Sequence, residues 1–184
     1  MKAIKYFTFT LSIIFVLLNK ECLADISVYE VNKIKFSIDS PSDWQMAPDF
    51  LGSDLTLLGP FKNDRRPIIT FSSIPLDDYH FDSDDLKKNE ANYHSGRISW
   101  LKKNKGTPID FYSYKKLNWS SLKDVHGIGY KYKIGKNTFE EMSYFFKCRS
   151  KVFNISTLIS ENQQKENKFK IESILNSLTC LPKK

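Results

Sequence analysis

The stretch "IGYKYKIGKNTFEEMSYFFKCRSKVFNISTLI", residues 128–159, decides the fold class. Tyr130, Tyr132 and Ile134 alternate with Lys131 and Lys133, the period of a strand with one buried and one wet face. "GKN" at 135–137 and "RSK" at 149–151 interrupt the alternation with residues that favour tight turns. The stretch therefore predicts three antiparallel strands in a meander, aromatics inward and lysines outward. Cys148 falls inside the second of them, after Tyr144, Phe145 and Phe146.

Working outward towards the C-terminus, Ser160 is placed to cap a last helix. In that helix Ile171, Ile174, Leu175 and Leu178 recur at i, i+3, i+4 and i+7, forming an apolar stripe. Cys180 lies just past the stripe. On the other side of the meander, "IDFYSYKKLNW" (109–119) reads as a further strand. Before it, "FDSDDLKKNEANYHSGRISWLKKN" (81–104) has acids first and lysines last, with Asp82 or Ser83 as N-cap, and predicts one amphipathic helix. Gly96 weakens its middle. "LTLLGPF" (55–61) and "RPIITFSSIP" (66–75) predict neighbouring strands joined through "KNDRR". "KIKFSID" (33–39) is another strand, closed by "SPSDW" (40–44), while "DISVYEVN" (25–32) reads as a polar approach. Strands, helix, strands, helix is the order of an α+β domain with an antiparallel sheet.

Residues 1–24 have the layout of a secretory signal: Lys2 and Lys5, the apolar run 7–18, then "NKECLA". The run is too short to span a bilayer, which needs roughly 20 apolar residues. We expect cleavage before Asp25, one domain over 25–184, and a periplasmic or extracellular location. Cleavage lowers the net charge from +7 to +5, because Lys2, Lys5, Lys20 and Glu21 leave. That is mildly basic and no nucleic-acid signature. It also reduces three cysteines to two, Cys148 and Cys180, in a compartment where disulfides persist. A disulfide between them is the expectation; two separate buried thiols or metal ligands are the alternatives.

"FSIDSPSDW" (36–44) resembles the opening F-x-I-x-x-P-x-x-W of the PsbP-like superfamily, whose members include the extrinsic PsbP proteins of photosystem II, a yeast Ran-pathway import factor and DcrB-like bacterial envelope proteins. The order of elements matches over most of residues 33–180, and Phe36, Pro41 and Trp44 are the motif-like part. Ser42 and Asp43 stand where these relatives often have Gly before the Trp. The resemblance implies about six antiparallel strands flanked by helices, an α/β/α sandwich. It implies no catalytic residue, since the superfamily consists mostly of binding and assembly proteins.

The residues themselves argue against several chemistries. His80, His94 and His126 show no H-x-H, H-x-x-x-H or H-E-x-x-H spacing. "DDYHFDSDD" (77–85) lacks the glycine and closing acid of a calcium loop. "GIGYKYKIGKN" offers Asn137 where a phosphate loop needs Ser or Thr after Gly-Lys. Cys148 lacks the His or helix N-terminus that activates a nucleophilic thiol. We therefore expect no catalytic residue, no metal and no cofactor, and a non-enzymatic binding or assembly protein of the bacterial envelope. Lys115, Lys116, Lys131 and Lys133 are a candidate face for an envelope protein or anionic envelope lipid, nucleic acid being excluded by export. The competing expectation is a small secreted hydrolase or metal-dependent enzyme with Asp77, Asp78, His80 and Asp82 at its site.

Overall fold

The computed structural model describes residues 25–74 and 83–182. Its elements run β1 (Asp25–Val31), β2 (Ile34–Ser40), β3 (Gln45–Phe50), β4 (Ser53–Leu58), β5 (Ile68–Ile74), α1 (Ser83–Lys88), α2 (Glu90–Lys103), β6 (Gly106–Leu117), β7 (Val125–Ile134), β8 (Asn137–Cys148) and β9 (Lys151–Ser160). A 3₁₀ turn (Glu161–Gln163), α3 (Gln164–Ser177) and β10 (Thr179–Cys180) complete the described chain. Seven strands form one antiparallel sheet in the order β3-β4-β5-β9-β8-β7-β6, and β1-β2-β10 form a second sheet. The fold is α+β.

The predicted meander is β7-β8-β9, closed by two-residue turns at Gly135-Lys136 and Arg149-Ser150. Gly135 has φ +60°, a left-handed backbone that glycine adopts without steric cost. Register places Tyr144 and Phe146 of β8 on the same face as Ile155 and Phe153 of β9. On that face they meet Ile34, Phe36 and Ile38 of β2, and the stripe of α3 formed by Ile171, Ile174 and Leu175 with Leu178 just beyond it. The opposite face carries Tyr130 and Tyr132 of β7, packed against Tyr93 and Leu101 of α2.

Several expectations are corrected. The sheet was expected to have about six strands flanked by helices; it has seven, and one flanking layer is a second sheet combined with α3. The second sheet was hidden because β1 inverts the usual pattern. Its apolar Ile26 and Val28 point to solvent while Val31 is buried, so residues 25–32 read as polar. β3 was hidden by Pro48, which an edge strand tolerates because its outer N–H needs no partner. The helix expected over 81–104 is broken at Asn89, whose carbonyl accepts the Tyr93 N–H and whose side chain accepts from Asn92. Gly96, the expected weak point, lies inside α2. Ser160 does not cap α3 either; its hydroxyl donates to Gln163 Oε1 across the 3₁₀ turn.

Cys148 at the end of β8 and Cys180 in β10 form a disulfide with Cα atoms 6.1 Å apart. Because Cys180 pairs with Phe36 in the register of β10 on β2, the bond ties the second sheet to the large one. Arg149 reinforces it by donating to the Leu181 carbonyl. The described helices include none long and apolar enough to cross a membrane. The expected signal segment, 1–24, lies outside the described residues.

Replacing both cysteines with alanine is expected to cost roughly 2 to 4 kcal/mol, in line with the closure of a 32-residue separation. Urea unfolding of the oxidised, reduced and doubly substituted proteins checks this; equal midpoints would show that the link adds nothing. Phe36→Ala should cost about 3 to 5 kcal/mol by leaving a cavity between the layers, read in the same assay.

Candidate binding groove

α3 covers β2 and β9 but leaves the β6-β7-β8 end of the same sheet face open. A groove of about 330 Å³ lies there, bordered by Lys168 and Glu172 of α3. Its floor is apolar: Leu117 of β6, with Met142 and Tyr144 of β8. Glycines in β7 make this floor possible. A Cβ on Gly129 would collide with the Met142 side chain and the Glu141 carbonyl, and one on Gly127 would press on the Tyr144 ring at 3.3 Å. Absent side chains at these two positions let Met142 and Tyr144 lie across β7.

The rim is polar and carries both signs. The Tyr112 hydroxyl donates to Glu140 Oε2 at 3.1 Å, and Lys168 Nζ stands 3.9 Å from Glu140 Oε1. Lys115 and Ser113 line the β6 side. Burial, and then the carboxylate of Glu140, push the Tyr112 pKa up to about 12. Burial, followed by Glu140 and Glu172, does the same to Tyr144, again to about 12. The two phenols are therefore neutral hydrogen-bonding groups at physiological pH.

The four lysines singled out from the sequence divide. Lys115 pairs with Gly127 and shares the groove's face with Lys131 and Lys133, whereas Lys116 pairs with His126 and points to the other face. Lys131 is bound to Glu161 at 3.1 Å and Lys116 to Asp124 at 2.6 Å. The groove's remaining residues had no sequence signal beyond the Gly-x-Gly in a strand, which marks a close approach of another side chain.

No protein-family profile matches the chain. Nor does any curated protein match it in sequence. Solved structures do match in shape. The cyanobacterial PsbP (CyanoP) of Synechocystis sp. PCC 6803 superposes with a TM-score of 0.54 at 13% identity, over 89% of this chain and 96% of its own. LpqN of Mycobacterium tuberculosis, described as involved in cell envelope biogenesis, superposes with a TM-score of 0.56 at 11% identity, over 86% and 91%. The chain has a PsbP-like fold.

Within this PsbP-like fold the Phe36, Pro41 and Trp44 cluster is structural. Phe36 is fully buried, and the Trp44 N–H donates to the Pro41 carbonyl at 2.9 Å, so Ser42 and Asp43 form the turn without a glycine. The two described histidines, His94 and His126, do not converge with the groove. His126 lies on the opposite sheet face with its Nδ1 2.6 Å from the Tyr114 hydroxyl; burial, and then Lys116, lower its pKa. The His94 ring lies tilted against Phe111 with ring centroids 4.3 Å apart. Asp77, Asp78, His80 and Asp82 fall outside the described residues, so the alternative site has no geometry to weigh. Among the described residues no three His, Cys, Asp or Glu side chains are grouped to hold a metal.

A polar knot fastens α2 to the face opposite the groove. Arg97 binds Glu141 at 3.1 Å, Tyr130 donates to the same carboxylate at 3.0 Å, and the Arg97 guanidinium lies over the Tyr93 and Tyr130 rings. Burial, the largest single influence, would lower the Arg97 pKa, but Glu141 together with Tyr93 and Tyr130 outweighs it and the net shift is upward. Tyr130 is raised by burial and then by Glu141. Tyr132 is pushed up to about 12, chiefly by burial.

These shifts set an alkaline limit. A phenol whose folded pKa exceeds its unfolded value stabilises the fold fully below about pH 10, and that contribution is lost as pH rises towards 12. Tyrosinate absorbance at 295 nm should show a class of native tyrosines ionising only near pH 12. In urea every tyrosine should ionise near 10; a native titration matching the urea curve would contradict this packing. Gly129→Ala should cost roughly 1 to 3 kcal/mol by overpacking Met142, measurable by thermal unfolding.

Proposed function

We propose that this protein is an exported, non-enzymatic binding or assembly module of the bacterial envelope, and that the groove between β6-β8 and α3 receives a segment of its partner. The observation that carries this reading is the groove itself: an apolar floor of Leu117, Met142 and Tyr144, the last two packed over Gly129 and Gly127, beneath a rim of Lys115, Lys168, Glu140 and Glu172. An apolar centre rimmed by charges of both signs suits a peptide segment with alternating apolar and charged side chains. The envelope setting is supported by the described role of LpqN in cell envelope biogenesis and by a disulfide between Cys148 and Cys180.

Site-specific photo-crosslinking in the native host tests the reading. A crosslinking amino acid at Ser113, on the groove's exposed edge, should capture one dominant protein, and Lys115→Glu combined with Lys168→Glu should abolish the adduct. Persistence of the adduct in the charge-reversed protein, or no adduct in any growth condition, would remove the groove as the partner's seat. Fractionation followed by non-reducing mass spectrometry tests the location: the expected result is one bridged Cys148–Cys180 peptide in the extracytoplasmic fraction.

A further inference from the structure

The loop between β4 and β5 builds a second site, at a different place from the groove. Residues 59–67, "GPFKNDRRP", fold back on themselves through reciprocal backbone hydrogen bonds between Lys62 and Arg65, with Asn63 and Asp64 at φ +51° and +59°. This tight turn sets two consecutive arginines on the wall of a cavity of about 240 Å³. Arg65 lies over the Phe139 ring at 4.9 Å and Arg66 over the Phe61 ring at 5.3 Å. Arg66 also donates to Gln45 Oε1 at 3.2 Å. No carboxylate is bridged to either guanidinium among the described residues, although Asp64 stands on the same wall.

An arginine stacked on a ring keeps its N–H edges free and loses little freedom on binding, which suits it to bidentate recognition of an oxyanion. The loop is held in place from below. The Gln163 side chain, itself buried, donates to the Arg65 carbonyl at 2.9 Å and accepts from Ser160. The remaining lining is apolar: Ile68, Leu158 and Phe139. Two unneutralised cations beside an apolar floor fit an anion attached to a hydrocarbon body better than a free inorganic ion.

The surface around the cavity adds a second observation. Phe61 is 62% exposed and Phe169 of α3 is 77% exposed. The Lys62–Glu166 ion pair at 2.6 Å ties the loop bearing Phe61 to the helix face bearing Phe169, three residues further along. Two solvent-facing Phe rings next to cations match a membrane-surface contact, where apolar rings bury at the headgroup–acyl boundary and basic residues meet phosphates. We propose that the Arg65–Arg66 cavity binds the phosphate of one anionic phospholipid, with the adjoining acyl or glycerol carbons on Ile68 and Leu158 and with Phe61 and Phe169 entering the interface. This proposal is independent of the groove.

The test uses the purified protein and four probes: dihexanoyl phosphatidylglycerol as a monomer, dihexanoyl phosphatidylcholine, inorganic phosphate, and vesicles of phosphatidylglycerol or phosphatidylcholine. Calorimetry should detect the short anionic lipid, with binding weakened roughly tenfold or more by Arg65→Gln or Arg66→Gln. Vesicle flotation should require phosphatidylglycerol and should fall with Phe61→Ser and Phe169→Ser. Lys115→Glu in the groove should leave both readouts unchanged, which separates this proposal from the preceding one. Circular dichroism and melting curves certify the fold of each variant. Equal binding of the zwitterionic lipid, unchanged affinity in both natively folded arginine variants, or inorganic phosphate binding as tightly as the lipid would overturn the proposal.

Discussion

The structure depends on one ring, Phe36, buried from solvent between the two sheets. It meets Phe153 edge-on at 4.9 Å and Phe146 at 6.2 Å, so the second sheet and the central strands of the large one share a single aromatic cluster. Burying a phenylalanine is worth about 1.5 to 3 kcal/mol by transfer alone, and edge-on ring pairs add to that. The disulfide acts on the same junction: Cys180 sits opposite Phe36 on β10, and Cys148 closes β8. Neither feature does the other's work. The ring supplies cohesion in the folded state, while the covalent link limits the freedom of the unfolded chain.

From that junction the two faces of the large sheet acquire different characters. One face is sealed by α3 and the second sheet over β9 and the Phe146 end of β8, which leaves the rest of the β6-β8 end as the groove. The other face is fastened to α2 by the Arg97–Glu141–Tyr130 knot, where a half-buried ion pair is satisfied by a phenol and two rings. The knot specifies where α2 docks, since removing one partner would leave the other buried and unpaired. The open end and the arginine loop lie beyond these sealed regions.

Much of the fold was legible in particular residues. Tyr130 and Tyr132 against Lys131 and Lys133 gave β7 and its inward face, and the stripe from Ile171 to Leu178 gave α3 and its docking side. Cys148 and Cys180 gave the staple once the expected signal had removed Cys22 from the count. The candidate sites were far less legible. Of the four lysines expected on one face, Lys116 points away because adjacent strand residues face opposite sides. The groove's glycines entered only within a rejected phosphate-loop pattern, and the two arginines only as part of the joining loop "KNDRR".

The sequence by itself determined what depends on short range: strand alternation, turn positions at 135–137 and 149–151, the helical stripe and the cysteine pair. Tertiary structure alone decided the pairing of β5 with β9, whose partners lie 78 to 90 residues apart, and the separation of β1, β2 and β10 into their own sheet. The reason is physical. Alternation records which side of a strand is buried, but not which strand lies beside it, and that choice is made by packing summed over the whole core. Both candidate sites arise from it, because a groove and an arginine-lined cavity exist only where distant elements have been brought together.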